Sequence, residues 1–161
     1  MAENSIGRLA LENFNISAET KDKWKYFIDN SGTGVINNAP TNIIKLEEIK
    51  IIDPCMGSGH MLVYSFELLF DIYIDLQWTP RDAILSILQN NIYGLDIDDR
   101  AAQLASFALI MTARTKFNRL FKTLENENII PNTYSIKETN ELDPYVEGLI
   151  RDNKLNELYY L

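Results

Sequence analysis

The sequence has few of the residues on which disulfides, metal centres and nucleic-acid surfaces depend. Its 161 residues include one cysteine and one histidine, and 15 Lys and Arg stand against 23 Asp and Glu, which gives a net charge of −8. A single cysteine excludes a disulfide framework and a multi-cysteine metal cluster, and we predict no metal site. Phosphate contacts require Lys and Arg, so the chain on its own is predicted to bind DNA weakly.

The sequence also lacks a membrane span and a signal peptide. The apolar stretch at residues 61–76 is interrupted by Glu67, Asp71 and Asp75, and the N-terminus carries Glu3 rather than a basic run. We therefore expect a protein of the reducing cytoplasm with no membrane partner. The length allows one ordinary domain, or a piece of one, to bury a core without cross-links.

Loop-like composition occurs at residues 30–40, where Gly, Ser, Asn, Thr and Pro cluster. We divide the chain there into an N-terminal helical segment with its loop, residues 1–40, and a main domain, residues 41–161. In the first part Ser17 is predicted to cap a short helix. The apolar stripe of that helix is predicted to consist of Trp24, Phe27 and Ile28.

Strand and helix patterns alternate through the main domain. The first cycle is a strand ending at Asp53, a helix at 60–75 and a helical segment from Thr79 to Asn91. The second is a strand at 92–97 and a helix at 100–114 capped by Asp98 or Asp99. A weaker third cycle runs from a strand at 129–136 to a helix begun by Asp143. Within the helix at 100–114 one apolar face is formed by Leu104, Phe107, Ala108 and Met111. This alternation predicts an α/β fold with a parallel sheet, whose ligands bind beyond the carboxyl ends of the strands.

The turn after the first predicted strand holds paired glycines, Gly57 and Gly59, which let a ligand approach the backbone. A P-loop is excluded because no Lys or Arg occurs between Lys50 and Arg81. The dinucleotide fingerprint needs a third glycine where Leu62 stands, so a nicotinamide or flavin ligand is disfavoured, although it stays open as an alternative.

A ligand with positive charge fits the remaining chemistry. S-adenosylmethionine carries a sulfonium and an α-ammonium and has no phosphate. Asp53 is placed to accept hydrogen bonds from the ammonium, Asp96 to accept them from the ribose hydroxyls, and Ile97 to lie against the adenine. Taken alone, the glycine pair could be a plain tight turn, and an Asp after a strand could merely cap a helix. His60 is interpreted as a helix-start residue and Cys55 as a small residue in a turn.

These residues resemble the adenine-specific DNA methyltransferases of BREX phage-defence and type II restriction-modification systems. The string from Asp53 to His60 matches cofactor motif I of that family, and the segment from Gly94 to Asp98 matches motif II. The resemblance implies a truncated parallel sheet of the Rossmann-like S-adenosylmethionine-dependent methyltransferase fold. The cofactor residues it implies, together with the reasoning above, are Asp53, Pro54, Cys55, Met56, Gly57, Ser58, Gly59, Asp96 and Ile97.

By this resemblance the intact enzyme transfers a methyl group to N6 of an adenine flipped out of duplex DNA. The family uses an Asn/Asp-Pro-Pro-aromatic tetrapeptide for this step, and the sequence contains none, so no catalytic residue is assigned. Asp143-Pro144-Tyr145 lacks the second proline and is interpreted as a helix start. Pro40-Thr41 reverses the Thr-Pro order of many relatives, and Glu138 is only a candidate neighbour of the adenine amino group.

We therefore expect the N-terminal part of a longer enzyme, inactive alone, that meets duplex DNA through regions absent here. A rival interpretation is a non-catalytic nucleotide-binding or interaction domain in which the same turns only shape a core. A truncated sheet exposes strand edges, so self-association is expected from either.

Overall fold

Three short parallel strands form the centre of the fold in the computed structural model, which describes residues 1–28 and 45–137. The strands are β1 (Ile51–Asp53), β2 (Ile92–Asp96) and β3 (Asn132–Ser135), in the order β1-β2-β3. Asp53 pairs with Gly94, and Asp96 pairs with Ser135. The predicted α/β class with a parallel sheet flanked by helices is confirmed.

Helices precede, connect and flank these strands. They are α1 (Arg8–Asn13), which continues a π-helical turn at Glu3–Gly7, α2 (Ala18–Asp22), a 3-10 turn at Leu46–Glu48, α3 (His60–Asp75), α4 (Pro80–Ser86), which runs into a π-helical turn at Ile87–Asn91, α5 (Asp99–Lys116) and α6 (Leu120–Glu127). The bounds predicted for α3 are confirmed. Thr79 caps α4 by accepting from the Asp82 N–H, and Asp98 caps α5 by accepting from the Arg100 N–H.

The core lies between the sheet and the neighbouring helices α3 and α5, which contact each other and β2. Helix α3 contributes most of the large buried side chains, namely Leu62, Phe66, Leu69, Ile72 and Tyr73. Burying one such side chain stabilises the fold by roughly 1.5–3 kcal/mol. Packing in the core therefore fixes the position of helix α3, which directly follows the glycine turn.

The apolar face predicted for α5 exists, but it is exposed. Leu104, Phe107 and Met111 keep between 41% and 61% of their surface accessible. The packed face of α5 consists instead of Ala102, Ala105, Leu109 and Ala113. At Ala105 a small side chain fits because the chain at Gly59 approaches the backbone of this residue closely.

The N-terminal helix prediction is correct at its cap and wrong beyond it. Ser17 accepts from the Thr20 N–H as predicted, but α2 ends at Asp22. Trp24, Phe27 and Ile28 therefore form no helical stripe; Trp24 is buried against Phe27, and Ile28 is 64% exposed.

Side chains of the preceding helical turn explain why the helix does not continue. Glu3 accepts from the Tyr26 N–H at 2.5 Å, and Asn4 accepts from the Ile28 N–H at 2.8 Å. These bonds take the backbone donors that a longer helix would use.

Several predictions concern residues outside the described ranges. They are the loop at 30–40 with the boundary between 40 and 41, Pro40-Thr41, Glu138 and the helix begun by Asp143. No described helix is both long enough and apolar enough to cross a membrane.

Candidate cofactor site

Asp53 ends β1 and begins the turn. One carboxylate oxygen accepts from the Cys55 N–H at 3.1 Å, while the side chain of Cys55 is exposed. Pro54 follows directly and has no N–H to continue a sheet ladder. The strand therefore stops at Asp53 and leaves the carboxylate at the edge of the sheet.

Both glycines of the turn have left-handed backbone angles, with φ of 52° at Gly57 and 82° at Gly59. Their surroundings differ. A Cβ at Gly59 would lie 2.9 Å from the Cα of Ala105, whereas a Cβ at Gly57 would meet nothing within 4 Å. Gly59 therefore serves the packing of the turn on α5, and Gly57 presents bare backbone to open space.

Met56 connects the turn to β2 through hydrogen bonds and packing. Its N–H donates to the Leu95 carbonyl at 3.0 Å, its carbonyl accepts from the Gly59 N–H at 2.8 Å, and its side chain is buried. The Met56 sulfur and Leu62 fill the space that a Cβ at Gly94 would need. Sequence reasoning missed this contact, although a glycine within an apolar strand is a signal for a close approach.

Asp96, at the end of β2, binds the turn directly. Its Oδ2 accepts from the Gly57 N–H at 2.8 Å and its Oδ1 from the Asp98 N–H at 3.0 Å. These two backbone bonds, that of Asp98 first, hold the pKa of Asp96 below its ordinary value. The carboxylate is therefore ionised at neutral pH, and each oxygen keeps a lone pair for another donor.

The predicted site residues thus lie together at the carboxyl edge of the sheet. Ile97, next to Asp96, is 84% exposed. A cavity of about 670 Å³ opens beside Asp53 and Pro54, between β1, α3 and the N-terminal helical turn. His60 is exposed at the start of α3. Among residues 1–28 and 45–137 no cluster of His, Cys, Asp or Glu is suited to a metal ion.

A parallel sheet with a glycine turn after its first strand and a carboxylate at the end of its second is the arrangement of a Rossmann-like nucleotide-binding fold. Residues 37–145 match the family described as MmeI, DNA-methyltransferase domain, which covers more than half of the chain. The chain belongs to this family of DNA-methyltransferase domains.

Two curated relatives align with most of the chain. The adenine-specific methyltransferase PglX of Lacticaseibacillus casei (strain Zhang) is 32% identical over 86% of this chain. The adenine-specific methyltransferase BrxX of Escherichia coli O9:H4 (strain HS) is 38% identical over 81% of it. The matches span 12% and 11% of these relatives. The resemblance to adenine-specific methyltransferases is confirmed.

Proposed function

We propose that this chain carries most of the S-adenosylmethionine pocket of an adenine-specific DNA methyltransferase. One observation carries the proposal: the Gly57 N–H donates to Asp96. This bond joins the glycine turn after β1 to the carboxylate at the end of β2. It therefore places the exposed backbone of Gly57 next to an anionic hydrogen-bond acceptor. No Lys or Arg occurs from 51 to 80 to offer a phosphate a partner, which favours a cationic cofactor over a phosphorylated one.

Asp53 is the residue proposed for the α-ammonium. It lines the cavity beside β1, and of the described residues only the Cys55 N–H donates to its carboxylate. Acceptor capacity therefore remains for a charged donor, and bonds to an ammonium are of the stronger, charge-assisted kind.

Asp96 is proposed to accept from the two ribose hydroxyls with the lone pairs that Gly57 and Asp98 leave free. Ile97, which is almost fully exposed, offers an apolar surface for the adenine ring. Both residues follow the second strand, where α/β nucleotide sites commonly bind the ribose.

The turn is proposed to bind through its backbone. A Cβ at Gly57 would meet nothing within 4 Å, and Pro54, Cys55 and Ser58 are proposed to border the approach of the cofactor to this backbone. Met56 and Gly59 keep the turn in place, because their atoms are engaged with Leu95, Ala105 and each other.

The bound cofactor supplies an electrophilic methyl group. In the whole protein we propose that the acceptor is N6 of an adenine in DNA, in restriction-modification or phage defence. The sequence has no Asn/Asp-Pro-Pro-aromatic tetrapeptide, so the chain by itself is proposed to bind the cofactor without methylating DNA. Methyl transfer to duplex DNA by the purified chain would refute this part.

Calorimetric titration with S-adenosylmethionine, S-adenosylhomocysteine, NADH and ATP tests the cofactor assignment. We expect binding of the first two alone. Circular dichroism of the same sample establishes that the chain is folded. A folded chain that binds none of the four, or that prefers NADH or ATP, contradicts the proposal.

A further inference from the structure

The basic residues of this acidic chain are unevenly distributed. From Arg100 to Leu124 the sequence contains five basic residues and no acidic residue, while the rest of the chain carries ten basic and 23 acidic ones. Four of the five lie close together in residues 114–122, which we call the basic segment: Arg114, Lys116, Arg119 and Lys122. The net charge of the whole chain conceals this local excess of positive charge.

The basic segment forms the corner between α5 and α6. Arg114 donates to the side chain of Asn118 at 2.6 Å and lies 5.8 Å from the ring centre of Phe121. Lys116 lies 5.5 Å from the ring centre of Phe70 on α3. Leu120 is fully buried beneath the corner. The corner is therefore anchored to the core, and its charges are presented from a fixed backbone.

The fold itself gives no reason for the two cations on α6. Arg119 is the N-cap of α6 and Lys122 lies in its first turn, where the helix dipole disfavours positive charge. In the described ranges no carboxylate forms an ion pair with Lys116, Arg119 or Lys122. All three side chains are exposed, so their charges are available to a partner.

We propose that the basic segment binds the phosphate backbone of duplex DNA. A surface of one sign suits a polyanion, whereas protein interfaces are built around a core depleted in charge. Asn118 accepts from Arg114 through its side-chain oxygen, so its amide N–H groups are donors of the kind that contact phosphates. The choice of DNA among polyanions rests on the proposed function.

The position of the segment determines what this contact does. Helix α5 begins beside the end of β2 and has 18 residues, so its C-terminal end lies about 27 Å from the cofactor edge. The basic segment therefore binds DNA away from the reacting base, without reading sequence and without requiring the methyl donor.

Fluorescence anisotropy of the chain with a short labelled duplex, measured at a series of salt concentrations, tests this contact. The test variant combines Arg119→Gln and Lys122→Gln. The matched control combines Lys23→Gln and Lys25→Gln, which changes the net charge equally at exposed positions elsewhere. Unfolding curves of both variants establish that the fold is retained.

We expect the test variant to bind at least about fivefold more weakly at low salt, and its slope of log affinity against log salt to be smaller by about two, since each phosphate contact contributes about 0.9. The control is expected to stay close to wild type. Equal weakening of both variants, or no binding of the duplex by the wild-type chain at low salt, overturns the proposal.

Competition with polyglutamate distinguishes a DNA partner of the basic segment from an acidic protein partner. Displacement of the duplex by polyglutamate at equal charge concentration would assign the segment to an acidic protein and overturn the DNA proposal. The outcome is independent of the cofactor assignment, because the anisotropy experiment contains no methyl donor.

Discussion

The Gly57 N–H donates to Oδ2 of Asp96 over 2.8 Å, although the two residues are 39 positions apart in the chain. The bond crosses from the turn after β1 to the end of β2. It places a backbone without a side chain beside an ionised carboxylate, and the proposed cofactor site depends on this pairing.

Replacing Asp96 by alanine is expected to weaken binding of S-adenosylmethionine by at least about tenfold. The substitution removes the ribose acceptor and also frees the Gly57 N–H, and hydrogen bonds to charged groups contribute about 1.5–3 kcal/mol. Calorimetric titration measures the effect, with Asp143→Ala as the comparison. Equal affinities of the two variants would contradict the ribose assignment of Asp96.

The two glycines of the turn are expected to respond differently to alanine. At Gly59 the new methyl group would meet the backbone of Ala105 at 2.9 Å in addition to a left-handed φ, so we expect a loss of about 3 kcal/mol or more in the free energy of unfolding. At Gly57 only the backbone angle is strained, and the loss is expected to be about 1 kcal/mol. Urea unfolding of both variants provides the measurement.

Gly57→Ala also separates stability from binding. Its methyl group would project into open space, where the proposed cofactor approaches the backbone. We expect the cofactor affinity to fall about tenfold or more in a variant that is still folded. An unchanged affinity would place the cofactor elsewhere.

A buried polar contact made by Asn91 is expected to be important for stability. Its amide donates to the carbonyls of Leu46 and Ile49 at 2.9 and 2.8 Å and accepts from the Tyr73 hydroxyl at 2.9 Å. Asn91→Ala removes all three bonds and takes the amide donor from the Ile49 carbonyl, while the Leu46 carbonyl keeps the Ile49 N–H and the Tyr73 hydroxyl keeps Ser86. We expect a loss of about 2–4 kcal/mol in the free energy of unfolding. The neighbouring Asn90→Ala is the control and should cost less than about 1 kcal/mol, because among the described residues the Asn90 side chain only donates to the Ser86 hydroxyl, at 3.3 Å. Similar losses in the two variants would show that the Asn91 contacts contribute little.

Tyr64 is expected to make stability depend on alkaline pH. Its hydroxyl donates to the buried Glu3, and this hydrogen bond, followed by desolvation, raises the pKa of Tyr64 to about 12. Because the folded-state pKa lies above the ordinary value near 10, the stabilisation is complete below pH 10 and is lost as pH rises from about 10 to 12.

Unfolding curves between pH 8 and about 12 test this expectation. The stability advantage of the wild type over Tyr64→Phe should shrink across that range. Glu3→Gln removes the charged acceptor, so the alkaline titration of Tyr64, followed by tyrosinate absorbance relative to Tyr64→Phe, should move to lower pH. A titration that stays in place in Glu3→Gln would assign the shift to another cause.

Local patterns were sufficient to predict the strand, glycine turn and helix around Asp53, the bounds of α3, the helix starts at Thr79 and at Asp98 or Asp99, and the family. These features depend on local chemistry: a proline that ends a strand, glycines that permit left-handed angles, and side chains that accept from the next helical turn. This reasoning did not predict helix α6 or the early end of α2. After α2 the chain is held by bonds from Tyr26 to Glu3 and from Ile28 to Asn4, each between residues more than 20 positions apart.

Long-range contacts in the folded chain set which of these local features meet. The bond between Gly57 and Asp96, the insertion of Met56 beneath Gly94, and the alanine face of α5 against Gly59 each join segments distant in the chain. Side-chain periodicity gives α5 two possible packing faces, one large and apolar and one small. The close approach of the turn to Ala105 selects the small face, because close-packed interiors leave no room for a larger side chain at that distance.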